Sequence, residues 1–292
     1  MRKIFAKNLL DAASCGDTGV LDKIEPEPVA KEQKFPKNCS AEGSAFATLN
    51  LIRSFLGMVR DRVSANGLLA ALPQADWARM RNDFEETHLA RHTTLIEPGQ
   101  RISIIHFPEN CIVSTVAVME QGGSVEMATT GCEGIVEVGA IIGSDTALSK
   151  YVVQVPGDAL TIEYQTFKKW DREIPAFHKM LQKYMQAHVV HILQSVACNA
   201  AHTIERRAAR WLLMAQDRSH GDSFLLTQEY FAEMLGVSRP VVSTIARAFQ
   251  KAGLIKYARG KITIANRAAL EEKACECYRV IKQVYDFHAI DC

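Results

Sequence analysis

The sequence of 292 residues contains no run approaching about eighteen apolar residues, which excludes a membrane-spanning helix. Its eight cysteines include no C-x2-C pair and no regular framework spacing, so reduced thiols in a cytosol are expected. P-loop, GxSxG, HExxH and paired-carboxylate motifs are missing, and with them the common enzyme classes. After Met1-Arg2-Lys3, the polar Lys7, Asn8 and Asp11 break up any apolar signal core; neither a signal peptide nor a lipoprotein signal ending at Cys15 is expected. The chain also lacks net charge: the formal value is +1. With 48% hydrophobic and 23% charged residues, it has the composition of a folded globular protein and not of a disordered one.

The near-neutral total hides an asymmetry. Residues 203–267 carry a net +6, which leaves −5 on the remainder. A basic segment on an acidic body suggests one domain that meets a polyanion and one that does not.

Four segments follow one another. Residues 1–65 read as an extension: Ile24 to Lys37 holds three prolines among charges, an exposed linker, and residues 46–63 have the apolar spacing of a helix. In residues 66–172 a short helix over Asp76–Glu86 precedes short apolar runs: Thr94–Ile96, Ile102–Phe107, Cys111–Val118, Ser124–Thr129, Tyr151–Val155 and Ala159–Glu163. Turn residues separate them, the pattern of an antiparallel jelly roll or small barrel. In residues 173–200 the period changes to 3.6. Leu181, Met185, Val189, Ile192 and Val196 form one stripe on a helix far longer than a small barrel needs, and such a stripe suits a dimer seam.

Residues 201–270 carry the functional signal, ahead of a C-terminal helix and tail over 271–292. A helix over Thr203–Asp217 is followed by Leu226–Leu235, with Thr227 placed as a cap. Gly236-Val-Ser238 then leads into a helix from Arg239, with Pro240 in its first turn, where the missing N–H costs nothing. Helix, glycine turn, helix is the helix-turn-helix pattern. Phe231, Ala232, Leu235, Val237, Val242, Ile245 and Phe249 supply its small core, and Gly253–Tyr257 with Lys261–Ile264 read as a β-hairpin wing.

The strings Leu226–Leu235 with Gly236-Val-Ser-Arg239, Gly253-Leu-Ile-Lys-Tyr-Ala-Arg-Gly260 and Ala274-Cys-Glu-Cys-Tyr278 resemble the Crp/Fnr family of bacterial transcription regulators. Gly67–Leu72, Phe107-Pro108, Gly131-Cys-Glu-Gly134 and Val153–Gly157 fit a divergent branch of it. The likeness spans about Asn66 to Phe287. It implies an α+β chain: an N-terminal cyclic-nucleotide-binding-like β jelly roll, a long dimerisation helix and a C-terminal winged helix-turn-helix. The implied protein is no enzyme but a cytoplasmic homodimer that binds double-stranded DNA. RNA polymerase and an unknown small-molecule effector are partners the resemblance leaves open, and no cofactor is expected. A ligand-sensing scaffold of the same fold without DNA binding is the alternative.

On the second helix of the motif, Arg239, Ser243, Thr244 and Arg247 face outward near its start and are the expected base readers. Pro240 stands where charged readers are common in the family, which removes one such contact. Lys251, Lys256, Arg259 and Lys261, with Thr227 and Gln228 at the start of the preceding helix, are the expected phosphate contacts.

In the sensor half, cyclic-AMP-binding members carry a cassette of the form F-G-E-x-x-L…R-[ST]-A, whose arginine pairs with the phosphate. Here residues 134–151 do not make it, no arginine occurs between Arg101 and Arg172, and Lys150 lacks the bidentate fork. Four clustered N-terminal thiolates for an iron–sulfur centre are missing as well, and no histidine is marked as a haem ligand. His188 and His191 share a helix face and could gather four imidazoles across a two-fold seam to bind zinc or sense pH, but the expected reading is ordinary, partly exposed helix histidines. Cys275 and Cys277, placed i, i+2 on a terminal helix, are expected to point apart and to make a poor chelate.

Overall fold

In the computed structural model, residues 64–120, 124–219, 221–290 and 292 are described. The expected linker and the helix over 46–63 lie outside them. All the described residues fall in a single compact unit, Arg62–Cys292.

The barrel half opens with α1 (Gly67–Ala70), capped by the Asn66 side chain, and α2 (Gln74–Met80). Two antiparallel sheets follow. One has the order β1–β7–β3 (Glu85–Leu89, Gly157–Glu163, Ile104–Pro108); the other is β2–β6–β4–β5 (Thr94–Ile96, Lys150–Val155, Ile112–Val118, Ser124–Thr130). Inward residues of both sheets share the core: Leu89 and Ala159 from the first pack with Val113, Tyr151 and Val153 from the second. The short helix α3 (Val138–Ile141) lies in the β5–β6 connection.

One element departs from the sequence reading. The helix expected over Asp76–Glu86 stops at Met80 as α2, a 3₁₀ turn runs over Arg81–Asp83, and Glu85 to Leu89 form a strand instead of continuing the helix. This polar strand pairs with β7 alone, at the edge of its sheet, so four of its five side chains keep solvent contact. An edge strand needs no apolar alternation to be stable, and Thr87 meets Thr161 across the pair at 3.1 Å.

Helix α4 (Tyr164–Glu173) ends at Ile174, and Pro175 starts α5 (Pro175–Ala201), since proline fits the first turn of a new helix but not the interior of an old one. At 1.5 Å per residue α5 is about 40 Å long. Its inner face, Phe177, Leu181, Tyr184, Ala187, His188 and His191, is buried within the chain. Leu181 is 0% exposed, so it belongs to the chain's own core and not to a seam. Val189, Leu193 and Val196 are 44%, 63% and 65% exposed, and Met185 and Ile192 are half-buried beside them.

After His202 the chain enters α6 (Ile204–Arg218), β8 (Ser223–Leu225), α7 (Gln228–Leu235), α8 (Arg239–Lys251), β9 (Ile255–Ala258) and β10 (Lys261–Ile264). Helices α9 (Arg267–Lys273) and α10 (Cys277–Phe287) close the chain, α10 lying against α5 and α6. Among the described residues no helix is long and apolar enough to cross a membrane.

The expectation of reduced cysteines fails at one pair: Cys132 and Cys292 form a disulfide, with Cα atoms 5.0 Å apart. Sequence spacing gave no hint of it because 160 residues separate the partners. They meet because α10 runs back along α5 and returns the chain end to the Gly131–Gly134 turn. Beside it, Glu133 and Arg218 form a buried ion pair at 2.7 Å. Glu133 also accepts from the Gly131 N–H, so it is both a turn residue and the counter-charge of Arg218.

Candidate DNA interface

The helix-turn-helix is built from local chemistry. The Thr227 hydroxyl accepts from the Tyr230 N–H and starts α7, as expected of a cap. Gly236 ends the helix in the left-handed region, φ 65°, which a residue with a Cβ adopts only at a cost. Ser238 precedes α8 and Pro240 lies in its first turn, but the Ser238 side chain makes no capping bond. Phe231, Ala232, Leu235, Val242 and Phe249 are buried where the helices meet; Val237 and Ile245 are half-buried, and Ala246 takes a core position that the sequence reading omitted.

The wing is a three-stranded sheet, β8–β10–β9, one strand more than the hairpin expected. Ala258 pairs with Lys261, which leaves Arg259 and Gly260 as a two-residue turn with φ of 50° and 73°. Positive φ at both positions matches the twist of a tight hairpin, and it sets the Arg259 side chain at the wing tip.

Arg239, Thr244 and Arg247 are exposed and Ser243 is half-buried. Each already has a partner. Arg239 Nε lies 2.7 Å from Glu229 Oε1, and the Ser243 hydroxyl donates to the Gln228 side-chain oxygen. Thr244 donates to the Pro240 carbonyl at 3.0 Å, and Arg247 Nε to the Ser243 carbonyl at 3.1 Å. Thr227, Gln228, Glu229, Arg239 and Arg259 line a single cleft between α7, α8 and the wing. One expected reader and three expected phosphate contacts are thus brought together. Lys251, Lys256 and Lys261 are exposed outside this lining. Gln250 and Tyr257 also line the cleft and escaped the sequence reading; Gln250 lies three residues beyond Arg247 on the same helix, a spacing that marks it as a neighbour.

The back of the motif rests on the barrel. The Ser124 hydroxyl donates to the Glu233 carboxylate, and Ser114 Oγ lies 3.5 Å from Met234 Sδ. The His92 and Tyr230 rings meet edge to face at 5.1 Å. Trp211 Nε1 on α6 donates to Glu126 Oε1 on β5 at 2.8 Å, and burial pushes the Glu126 carboxyl up to about 7.

Two further expectations are corrected. His188 and His191 face inward: both are buried against Tyr184 and Tyr285. Burial, with the Arg218 charge nearby, holds both below the ordinary histidine value, His188 at about 4. They are neutral core groups of one chain and present no imidazoles to a partner. Cys275 and Cys277 are both buried and do not point apart.

Residues 206–273 match the Crp-like helix-turn-helix domain. No curated protein matches the sequence, but solved structures match the fold. A Crp/Fnr-family regulator from Eubacterium rectale aligns at 18% identity and TM-score 0.55, covering 72% of this chain and 98% of that one. FixK2 from Bradyrhizobium japonicum aligns at 12% and 0.57, over 66% and 98%. The c-di-GMP-responsive regulator CLP from Xanthomonas campestris aligns at 15% and 0.53, over 66% and 100%. The chain therefore carries a Crp-like helix-turn-helix domain on the fold of the Crp/Fnr transcription regulators.

Proposed function

We propose that the protein is a homodimeric, sequence-specific DNA-binding regulator of transcription. The observation that carries this reading is the start of α8, where Arg239, Thr244 and Arg247 stand exposed on a helix whose opposite face is locked into the motif's core. A two-fold dimer would set two such helices into successive major grooves, about 34 Å apart. Arg239 reads guanine, with Ser243, Thr244 and Arg247 reading neighbouring base edges. Lys251, Lys256, Arg259, Lys261, Thr227 and Gln228 hold phosphates and set register without carrying sequence information.

In this reading the partner copy would lie against the outer face of α5. Met185, Val189, Ile192, Leu193 and Val196 recur at helical spacing there, and three of them, Val189, Leu193 and Val196, are exposed. An apolar stripe of this kind on a long helix is the sort that a second helix covers. Leu193 takes the place of Leu181 in the seam first read from the sequence.

Cyclic AMP does not suit the barrel. The Glu137 carboxylate is buried and accepts from the His106 N–H at 2.8 Å, with His106 Nδ1 at 2.7 Å, in the stretch that aligns with the family's phosphate cassette. Lys150 is already bonded to Glu97 at 2.8 Å. A phosphate there would meet a buried carboxylate and no arginine fork, at a cost of several kcal/mol, on the order of that of an unpaired buried charge.

Selection of bound fragments from a random DNA library, followed by gel-shift titration at several salt concentrations, tests the reading. A recovered near-palindromic motif and salt-sensitive retardation are expected; no retardation at any salt concentration would support the scaffold alternative, and binding without sequence preference would remove the base-reading roles. Leu193→Asp with Val196→Asp is expected to give monomers in sedimentation and to abolish specific retardation. A double variant that stayed dimeric would move the interface elsewhere.

A further inference from the structure

Cys198, His202, Cys275 and Cys277 converge at the elbow where α5 gives way to α6. Their four ligand atoms, three Sγ and one imidazole nitrogen, all lie within 4.8 Å of one another. Cys198 Sγ is 3.4 Å from Cys275 Sγ, and Cys277 Sγ is 3.5 Å from His202 Nδ1. In a tetrahedron with metal–sulfur bonds of about 2.3 Å and a metal–nitrogen bond of about 2.0 Å, the sulfur–sulfur edge is about 3.8 Å and the sulfur–nitrogen edge about 3.5 Å. The side chains thus outline the edges of one mononuclear site, too tight to span a two-iron cluster.

The backbone explains why the sulfurs converge. Cys198 and His202 are four apart at the end of α5, on one face. Cys275 is not helical: it lies in the turn after α9, and Cys277 is the first residue of α10. The reversal at Cys275–Glu276 swings both thiols to the same side, which helical spacing would not have done.

The surroundings also have the form of a metal centre. Ligating histidines commonly give their other ring nitrogen to a carboxylate, which fixes the ring, and His202 Nε2 lies 3.2 Å from Glu276 Oε2. Gln194 Nε2 donates to Cys277 Sγ at 3.1 Å. Arg210 is near enough to act on the charges of Cys198 and Cys275, and it offsets the single excess negative charge of three thiolates and a histidine around a divalent ion. The three cysteines are almost fully buried, which keeps water off the sulfurs.

We propose that these residues form a structural Zn2+ site of the three-cysteine, one-histidine type. It cross-links the end of the long helix to the turn between the two C-terminal helices. Zinc of this kind has all four positions filled by protein and serves folding, not catalysis. Binding releases the thiol protons to solvent and changes no oxidation state. Its place at the elbow makes it a brace on the angle between α5 and α6, and hence between the long helix and the reading motif. The proposal does not rest on DNA binding.

The full-length chain, purified under reductant, is expected to contain about one zinc per chain by elemental mass spectrometry. After removal with a chelator, Co2+ is expected to give the ligand-field spectrum of a tetrahedral site and a thiolate charge-transfer band. Cys277→Ser should lower that band by about a third, as one of three thiolates is lost. Cys111→Ser, at a buried cysteine remote from the elbow, should keep both the metal and the spectrum, with circular dichroism checking the fold of each. The idea fails if the chain neither retains nor takes up Zn2+ or Co2+. Undiminished cobalt bands in both Cys198→Ser and Cys277→Ser would also overturn it, as would a Cys198–Cys275 disulfide in protein isolated without oxygen.

Discussion

The Arg239 guanidinium and the Glu229 carboxylate meet at 2.7 Å across the gap between the two helices of the reading motif, with both side chains about three-fifths exposed, 62% and 61%. So exposed a pair contributes little to stability, about 0–1 kcal/mol. Its consequence is electrostatic: an acid stands in the cleft proposed to meet DNA, and it holds the proposed base reader in one place.

Arg239→Ala is expected to lose about 1–3 kcal/mol of discrimination at one base pair per half-site. Equal weakening on every sequence would make Arg239 a phosphate contact. Glu229→Gln removes the local negative charge and should tighten binding to random DNA several-fold while relaxing selectivity at that same base pair. Competition titrations with single-substitution operators read both effects.

The Glu133–Arg218 pair is expected to matter far more. At 2.7 Å, with side chains 5% and 6% exposed, each partner would leave the other charged and buried if replaced alone. Arg218→Met should therefore cost about 3–5 kcal/mol in urea unfolding. Joining it with Glu133→Leu should recover much of that loss, since no lone charge remains. A double variant as unstable as the single one would assign the loss to packing.

Much of this arrangement was legible in the sequence, and the exceptions have physical causes. The helix-turn-helix could be read because its signals are local: a cap at Thr227, a glycine at Gly236, apolar residues at helical spacing. The edge strand Glu85–Leu89 could not, because its stability comes from pairing with β7 and not from its own side chains. The two faces of α5 were merged into one stripe, since Leu181 and Val196 are equally apolar and only the barrel separates the face it covers from the face it leaves. Cys132–Cys292 and the cysteines of the elbow depend on chain reversals far apart in sequence. Pairwise spacing carries no information about such meetings, and at Cys275 the assumption of a continuous helix pointed the wrong way.

Stability should depend on pH through Glu126. Ser114 and Trp211 donate to it and Arg210 and Arg218 lie nearby, yet burial dominates and raises it from 4.5 to about 7. A carboxyl raised in the folded state favours the protonated fold. Its contribution is complete below about 4.5 and is lost as pH rises through about 7. Glu126→Gln should remove a loss on the order of 3 kcal/mol across that window. His188, lowered from 6.5 to about 4, acts in the opposite sense: its contribution is full above 6.5 and disappears as pH falls through 4. The difference between wild type and Glu126→Gln, followed by thermal melts from pH 4 to 8, isolates the carboxyl. A difference that did not vary with pH would contradict the assignment.

Cleaving the Cys132–Cys292 bridge releases a closure across 160 residues. Reductant or Cys292→Ser is expected to lower stability by about 2–5 kcal/mol. The serine variant should then show no further response to reductant. A melting temperature unchanged by reductant in the wild type would show that the thiols are free in solution.

The reading motif leans on the barrel through Glu233, Met234 and Tyr230, while Trp211 reaches from α6 to Glu126 on β5. To part the two halves would uncover Met234 and Trp211 and leave Glu126 without its indole donor. Neither half can therefore melt while the other keeps its native surface. Barrel, long helix and helix-turn-helix are therefore expected to share one cooperative transition, and scanning calorimetry should record them as a single heat-absorption peak whose van't Hoff and calorimetric enthalpies agree.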